Sequence, residues 1–186
     1  LGYGSSYFAA IAGGALWDGS TWTAMPAGPS ARAYAAMAYD SARQRTVLFG
    51  GRSGAYPMDW TDLAETWEWD GTAWAQRNTA IAPGPRFGAA CAFDPIRQRV
   101  VLHGGNNLSG TVYGDTWEWD GTVWTAMPGR SPTPRSGHSM VFDDAAGSLL
   151  LAGAGTGDLW ERRGAEWSRL AEPAPAPRSF GAMAYD

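Results

Sequence analysis

Asp115-Thr-Trp-Glu-Trp-Asp-Gly-Thr-Val-Trp124 is one of four copies of a short stretch in this chain of 186 residues. The other copies are Glu65-Thr-Trp-Glu-Trp-Asp-Gly-Thr-Ala-Trp74, Leu16-Trp-Asp-Gly-Ser-Thr-Trp22 and the divergent Asp158-Leu-Trp-Glu-Arg-Arg-Gly-Ala-Glu-Trp167. The alternation Trp-Glu-Trp predicts a half-buried strand, and Asp-Gly predicts a tight two-residue turn because these residues tolerate positive φ. Each copy therefore predicts a β-hairpin.

Two further segments recur in register with the hairpins. The first starts at an Arg and ends at an Asp; we call it strand a, and it occupies residues 32–40, 86–94, 135–143 and 178–186. The second is an apolar run closed by glycine; we call it strand b, and it occupies residues 46–51, 100–105 and 149–153. The hairpin supplies strands c and d. Four short antiparallel strands per unit are typical of one blade of a β-propeller.

The spacing of the units supports this interpretation. The Trp that ends each unit lies at position 22, 74, 124 or 167, so the steps are 52, 50 and 43 residues. A period of this length favours a propeller or a solenoid. Most of the variation lies between strands b and c, where residues 52–64 form a long connection and residues 154–157 a short one. Insertions confined to one connection indicate the variable and often ligand-binding face of a repeat protein.

The glycine pairs Gly13-Gly14, Gly50-Gly51 and Gly104-Gly105, each followed by spaced Trp residues, resemble the signature of kelch repeats. The repeats are similar to those of the bacterial type and of the central domain of galactose oxidase, and the resemblance covers essentially the whole chain. It implies an all-β propeller of four-stranded antiparallel kelch-type blades. The fourth copy departs from the signature, with Gly153-Ala-Gly155 for the glycine pair and Arg162-Arg163-Gly164 for Trp-Asp-Gly, and we expect a distorted corner there.

We expect one propeller domain over residues 1–186 with four blades per chain. Blade 1 combines residues 5–26 with 179–186, so that the C-terminal strand completes it, and the other blades occupy 32–77, 86–127 and 135–170. Two alternatives stay open: two chains joined head to tail as a homodimer with an eight-bladed ring, or a piece of a longer propeller. Since the chain starts at Leu1 without a Met or a signal pattern, we expect a processed product or a piece. Its localisation is undecided, with a secreted or extracytoplasmic one slightly favoured.

The composition excludes several classes of partner. With 14 Lys and Arg against 18 Asp and Glu, the net charge is −4, which predicts no basic surface for nucleic acid or an anionic membrane. No apolar run approaches the roughly 20 residues that span a bilayer. The single cysteine, Cys91, excludes an internal disulfide.

Four arginines that precede the strands a are the first candidates for ligand binding: Arg32, Arg86, Arg135 and Arg178. If strand a lines a central channel, these residues ring one of its mouths, and their guanidinium groups match carboxylates and other anions. The structural alternative is that each Arg pairs with an acid of strand c, because each of these units carries two. Those acids are Glu65, Asp115 and Asp158, or Glu68, Glu118 and Glu161.

Aromatic residues in the connections between strands b and c are the second group of candidates. The first connection contains Tyr56 and Trp60, and the second contains Tyr113. Aromatic side chains on loops above a rigid scaffold suit protein contacts and also stacking on sugar rings. In the alternative, Trp60 folds over its own blade or a neighbour and is buried as a plug.

No residue pattern indicates catalysis. His103 and His138 lack the spacing of a metal site, and Cys91 stands where other units carry Met, which favours a place in the core. Glu68 and Glu118 recur once per unit and do not predict a close catalytic carboxylate pair. The kelch-containing copper radical oxidases use Tyr and His ligands, and no such arrangement is recognisable here.

We therefore expect a non-catalytic binding or interaction module without a metal or cofactor. It presents a loop face and an Arg-ringed channel mouth to a protein or an anionic ligand. The alternatives are a carbohydrate-binding propeller module and a purely structural role in propeller assembly.

Overall fold

In the computed structural model of the chain, the described residues are 14–54, 59–170 and 183. They form sixteen β-strands in antiparallel sheets and no helix, so they include no helix that could cross a membrane. The all-β class that the sequence predicts is confirmed for this part of the chain.

Three four-stranded sheets, which we call sheets I, II and III, follow one another along the chain after an N-terminal hairpin. The hairpin consists of β1 (Ala15–Trp17) and β2 (Trp22–Ala24). The next six strands are β3 (Ala36–Asp40), β4 (Arg45–Phe49), β5 (Arg52–Ser53), β6 (Thr61–Asp62), β7 (Thr66–Trp69) and β8 (Trp74–Arg77). Sheet I contains β3, β4, β7 and β8, whereas β5 pairs with β6.

Sheet II consists of β9 (Ala90–Asp94), β10 (Arg99–His103), β11 (Thr116–Trp119) and β12 (Trp124–Met127). Sheet III consists of β13 (His138–Asp143), β14 (Ser148–Gly153), β15 (Leu159–Arg163) and β16 (Glu166–Arg169). In each sheet the strands lie side by side in chain order. The expected strands a, b, c and d are therefore present in all three sheets.

The Trp-rich stretches form the expected hairpins. Trp69 lies opposite Trp74, and Trp119 lies opposite Trp124. In the turn of sheet II, the Asp120 carboxylate accepts hydrogen bonds from the backbone N–H groups of Thr122 and Val123. The aspartates of these turns thus stabilise the turn itself, which is the usual role of Asp at such positions.

The three sheets pack face to face, with β9 lying between β3 and β13. The interface between sheets I and II buries Val47, Phe49, Val100, Leu102, Trp119 and Trp124. The interface between sheets II and III buries Val101, Met140, Leu149, Leu151, Trp160 and Trp167. Two adjacent apolar cores thus hold three successive sheets together.

Indole N–H groups form hydrogen bonds across these interfaces. Trp124 Nε1 donates to Thr66 Oγ1 in sheet I at 2.8 Å, and Trp167 Nε1 donates to Thr116 Oγ1 in sheet II at 3.0 Å. Trp119 Nε1 donates to Glu68 Oε1 at 2.9 Å. Because all of these groups are buried, the bonds satisfy polar atoms that would otherwise lie unpaired in an apolar interface.

The divergent fourth copy keeps this arrangement with a different residue. Arg162 lies opposite Trp167, in the position of Trp119, and its Nη2 donates to Glu118 Oε1 at 2.5 Å. Sheet III has all four strands, and at its corner Ala154 takes a φ of 65° where the other sheets have the second glycine of a pair. The expected departure therefore leaves the four strands in place and changes side chains and backbone angles at the corner, where Gly153, Ala154 and Gly155 all have positive φ.

The first glycine of each pair lies where the chain of the next sheet passes. Gly50 has a φ of 65°, and a Cβ at this position would lie 2.5 Å from the carbonyl oxygen of Arg86. The neighbouring Gly51 N–H donates to the same oxygen at 2.8 Å. Gly104 has the same relation to the carbonyl oxygen of Arg135. The glycine pair is thus a close crossing of two backbones, which is a role that only glycine fills without strain.

Replacement of Gly50 tests this crossing. We expect Gly50→Ala to lower the free energy of unfolding by roughly 2 to 4 kcal/mol, because positive φ and a backbone clash act together. Gly71→Ala is the matched control, since Gly71 also has positive φ but nothing within 4 Å of the added carbon, and it should cost about 1 kcal/mol. Urea unfolding measures both, and equal losses would contradict the proposed clash.

Candidate ligand-binding face

One edge of the sheets carries most of the predicted site residues. We call this edge the loop face and define it by residues 32–34, 52–54, 59–62, 86–87 and 106–113. Backbone bridges hold its segments together: Ala33 pairs with Arg52, and Phe87 pairs with Asn106. Two of the predicted residues, Tyr56 and Arg178, lie outside the described residues.

The three described arginines of the predicted ring form ion pairs with the acids at the start of strand c. Arg32 Nη2 lies 2.6 Å from Glu65 Oε2. Arg86 binds both oxygens of Asp115, at 2.6 and 2.9 Å, and Arg135 binds both oxygens of Asp158, at 2.8 and 2.9 Å. The pairing that the sequence offered as the structural alternative is therefore present in all three sheets.

These ion pairs belong to larger buried networks. The Arg86 and Arg135 side chains are only 1% exposed, and Arg86 also donates to the carbonyl oxygen of Gly104 beside the backbone crossing. The Trp117 indole N–H donates to Asp115 as well, at 2.7 Å. The Arg135 guanidinium lowers the pKa of Asp158, so that carboxylate stays ionised in the pair. Ligand binding by the arginines stays a prediction, and their burial argues against it.

Trp60 does not project freely from the connection between strands b and c of sheet I. It packs against Arg52 of the same connection. The guanidinium carbon of Arg52 lies 4.2 Å from the centre of the Trp60 ring and 3.2 Å from that of Phe87. Tyr34 contacts both rings, with centroid distances of 6.4 Å to Trp60 and 6.1 Å to Phe87. We call Tyr34, Arg52, Trp60 and Phe87 the aromatic cluster. Trp60 is half-buried in it, between the two predicted extremes of free loop residue and plug.

Tyr113 packs on Arg86, just before sheet II, much as Trp60 packs on Arg52. The guanidinium carbon of Arg86 lies 3.9 Å from the centre of the Tyr113 ring, and Asn107 Nδ2 donates to the Tyr113 hydroxyl at 2.9 Å. Tyr113 is therefore half-buried, and its ring covers the buried Arg86 guanidinium, whereas the Asp115 side chain stays 38% exposed.

Tyr34 is the functional candidate that the sequence analysis missed. It has a φ of 58°, and it stands where the other units have Gly88 and Gly137, whose φ values are 65° and 72°. Its carbonyl oxygen accepts a hydrogen bond from Gly88 N–H, and the carbonyl oxygen of Gly88 accepts one from Gly137 N–H. A bulky residue in this left-handed conformation is uncommon. The signal in the sequence was the departure from glycine in a repeated position.

The loop face exposes apolar residues next to the aromatic cluster, beside polar ones such as Asp59, Thr61 and Ser109. Tyr34 is 48% exposed, and Leu108 is 52% exposed. Leu108 N–H donates to Asp62 Oδ2 at 2.5 Å, and Asp62 pairs with Arg52 at 3.5 Å. The second connection is thereby fixed to the aromatic cluster of the first, which places several apolar side chains on one supported surface.

Glu68, a titratable residue away from this face, has structural partners. Glu68 accepts from Arg43 at 2.6 Å, from Arg77 at 2.9 Å and from the Trp119 indole. Although burial opposes ionisation, these donors lower the pKa of Glu68. It therefore lacks the free proton-transfer capacity of a catalytic acid or base.

The two histidines lie together between sheets II and III. Their ring centroids are 5.4 Å apart, and His103 Nδ1 is 3.1 Å from Thr116 Oγ1. Burial, reinforced by the charge of Arg135, lowers the pKa of His138 to about 3, and burial also lowers the pKa of His103. Both rings are therefore neutral at neutral pH. Within the described ranges, no three His, Cys, Asp or Glu side chains converge as a metal-binding group.

Comparison of the chain with protein-family models and with curated protein sequences finds no match. The assignment of function therefore depends on the geometry of the molecule.

The role of the arginines can be measured by removing one of them. We expect Arg135→Met to lower the free energy of unfolding by roughly 3 to 5 kcal/mol, because Asp158 would keep a buried charge without its partner. Arg45→Met is the control, since the Arg45 guanidinium donates to the carbonyl oxygen of Gln44 at the surface; it should cost about 0.5 kcal/mol or less. A loss below about 1 kcal/mol for Arg135→Met would show that Arg135 is not structural.

Proposed function

We propose that the chain folds as a kelch-type β-propeller with four blades. Sheets I, II and III are then three complete blades, and hairpin β1–β2 contributes strands c and d of the remaining one. The support is the radial repetition: consecutive four-stranded sheets have adjacent first strands, and they use equivalent hydrogen bonds at two successive interfaces. Propellers protect their sheet edges by this kind of repetition.

Closure of the ring within one chain predicts a monomer. Light scattering on a sizing column should give a mass near the chain's own 19.8 kDa, because the C-terminal strand would complete the first blade and leave only short strand edges for association. Twice that mass would contradict this closure and would favour two chains in an eight-bladed ring.

We further propose that the protein is a non-catalytic binding module whose loop face takes a protein partner. The observation that carries this proposal is the aromatic cluster, in which the exposed Tyr34 is held in a left-handed conformation against Trp60 and Phe87. Backbone strain of this kind persists where its surroundings fix it, and it is concentrated at binding sites. Tyr and Trp are also the residues that most often dominate protein interfaces.

The contacts of the cluster favour a protein over a sugar or a small anion. The rings of Trp60 and Tyr113 already lie against Arg52 and Arg86, which leaves less of their faces for stacking on a sugar. Of the guanidinium groups that would hold an anion, the three in the described residues are engaged with carboxylates. What the face offers is exposed apolar surface on Tyr34, Leu108 and Val112 beside half-buried rings, and this combination is typical of the centre of a protein interface.

A random-peptide phage library tests the proposal because the selection requires no candidate partner. The library is selected on the parent protein and depleted on a Tyr34→Ala, Trp60→Ala double variant. We expect enriched peptides whose Kd for the double variant is at least about tenfold weaker than for the parent, since two anchoring rings are lost. Isothermal titration with the synthesised peptides gives the Kd values.

The control is Tyr39→Ala, which removes a ring of similar exposure from strand β3, away from the loop face. This variant should bind the peptides like the parent, and the melting temperatures of all variants show whether the fold is kept. Peptides that bind the parent and the double variant equally would contradict the proposed face. Loss of glycan binding in the same double variant, on a glycan array, would assign the face to carbohydrate.

A further inference from the structure

The interface between sheets II and III differs from its repeat counterpart at two facing positions. Register places His103 of β10 in the position of Phe49 of β4, opposite Ala90 and Ala36 respectively. His138 stands in the position of Ala89, two residues before the equivalent Met140 and Cys91. The interface between sheets I and II is therefore well packed with Phe and Ala in these positions, so the fold itself does not require the histidines.

The histidines are incompletely hydrogen-bonded. His103 Nε2 is buried and has no hydrogen-bond partner. The two buried nitrogens of His138 form no side-chain hydrogen bond, although one of them interacts with the backbone of His103. His103 is fully buried, and His138 has only 7% of its surface exposed. A buried polar atom without a partner costs stability and points to a missing ligand or to a functional role.

Sulphur-bearing side chains line the cavity next to His138. This cavity has a volume of about 230 Å³, and its lining includes Met37, Cys91, Met140 and Met183 as well as His138. Three of the sulphur residues have equivalent register, since Met37 lies opposite Leu48, Cys91 opposite Leu102 and Met140 opposite Leu151. The remaining lining is Ala and Ser, so imidazole nitrogen and sulphur are its main potential metal ligands.

We propose that the His103–His138 pair, at the edge of this cavity, is a binding site for a soft monovalent metal ion, copper(I), held by the two imidazole rings and the Met140 thioether. His138, Met140 and Cys91 line the cavity, whereas His103 lies behind His138 in the interface between sheets II and III. Thioether and imidazole ligands together select copper(I) over hard cations. His138 and Met140 alternate in register on one face of β13, facing sheet II. The flexible Met side chain adapts its position to a bound ion.

The separation of the two rings suits shared coordination. A metal bound to a ring nitrogen at about 2.0 Å lies about 3 Å from the ring centre, so two rings that share one metal have centres about 5 to 6 Å apart. The observed separation is 5.4 Å, with the ring planes inclined at 75°. The Met140 thioether as third ligand would complete a three-coordinate site with the two imidazole rings.

The proposal is independent of the loop-face function, and it is tested with copper(I) itself. Under anaerobic reducing conditions the protein competes with a coloured copper(I) chelator, in a Cys91→Ala background that removes simple thiol binding. We expect the parent to withdraw one equivalent of copper and to show a higher melting temperature when loaded. Met140→Leu should raise the Kd at least tenfold.

The decisive variant is His103→Phe with His138→Ala, which reproduces the residues of the I–II interface and should therefore fold. We expect it to withdraw no copper and to show no change in melting temperature with the metal. If it binds copper as tightly as the parent, or if the parent withdraws none, the proposal is overturned. If the double variant does not fold, the single variants His138→Ala and Met140→Leu replace it. Copper binding as tight as that of the parent in both of them would overturn the proposal.

Discussion

The hydrogen bond from a buried indole to the neighbouring sheet is the interaction on which this structure depends. Apolar contacts between strands such as β4 and β10 hold two sheets together, but because they are non-directional they do not prevent one sheet from sliding along the other. The Trp124 indole N–H donates a hydrogen bond to the buried Thr66 hydroxyl, and the Trp119 indole N–H donates one to the buried Glu68 carboxylate. Any slip between the sheets would leave these groups unpaired in an apolar interior, at a cost of about 1 to 3 kcal/mol for each group.

This constraint explains why the repeated motif predicts the fold but does not predict a ligand. Its Trp residues join sheets, its Asp residues form turns, and its glycine pair lets two backbones cross. The arginines before strand a neutralise the acids before strand c and are buried in the process. Residues that repeat in every unit are thus largely accounted for by architecture. Function is better sought where one unit departs from the others, as at Tyr34 and at the His103–His138 pair.

Much of the fold was predictable from sequence because its signals are local. The alternation in Trp67-Glu-Trp69 and the Asp70-Gly71 turn define a hairpin within a few residues, and the structure contains it. The ion pair between Arg86 and Asp115 was anticipated only as one of two alternatives, because sequence does not show which charges meet across 29 residues.

The candidate site was less predictable, for a physical reason. Trp60 was recognised as an aromatic residue of a loop, but its contacts with Arg52 and Phe87 depend on how the connection folds back over the sheet. The sequence marks Tyr34 only by the absence of the glycine that the other units have, and its φ of 58° shows that it keeps the glycine's left-handed conformation. The histidines were judged by sequence spacing alone, whereas their proximity comes from the packing of two different sheets. Contacts between units therefore require the three-dimensional structure.

A double-mutant cycle on Trp124 and Thr66 tests the central claim most directly. Trp124→Phe removes the donor together with part of the buried ring, and Thr66→Val removes the acceptor with little change in shape. Urea unfolding of the parent, both single variants and the double variant gives the coupling free energy, in which the packing loss of Trp124→Phe cancels. If the indole–hydroxyl bond joins sheets I and II, the coupling should be about 1 kcal/mol or more. A coupling below about 0.3 kcal/mol would show that apolar packing alone holds the sheets in place and would contradict the account.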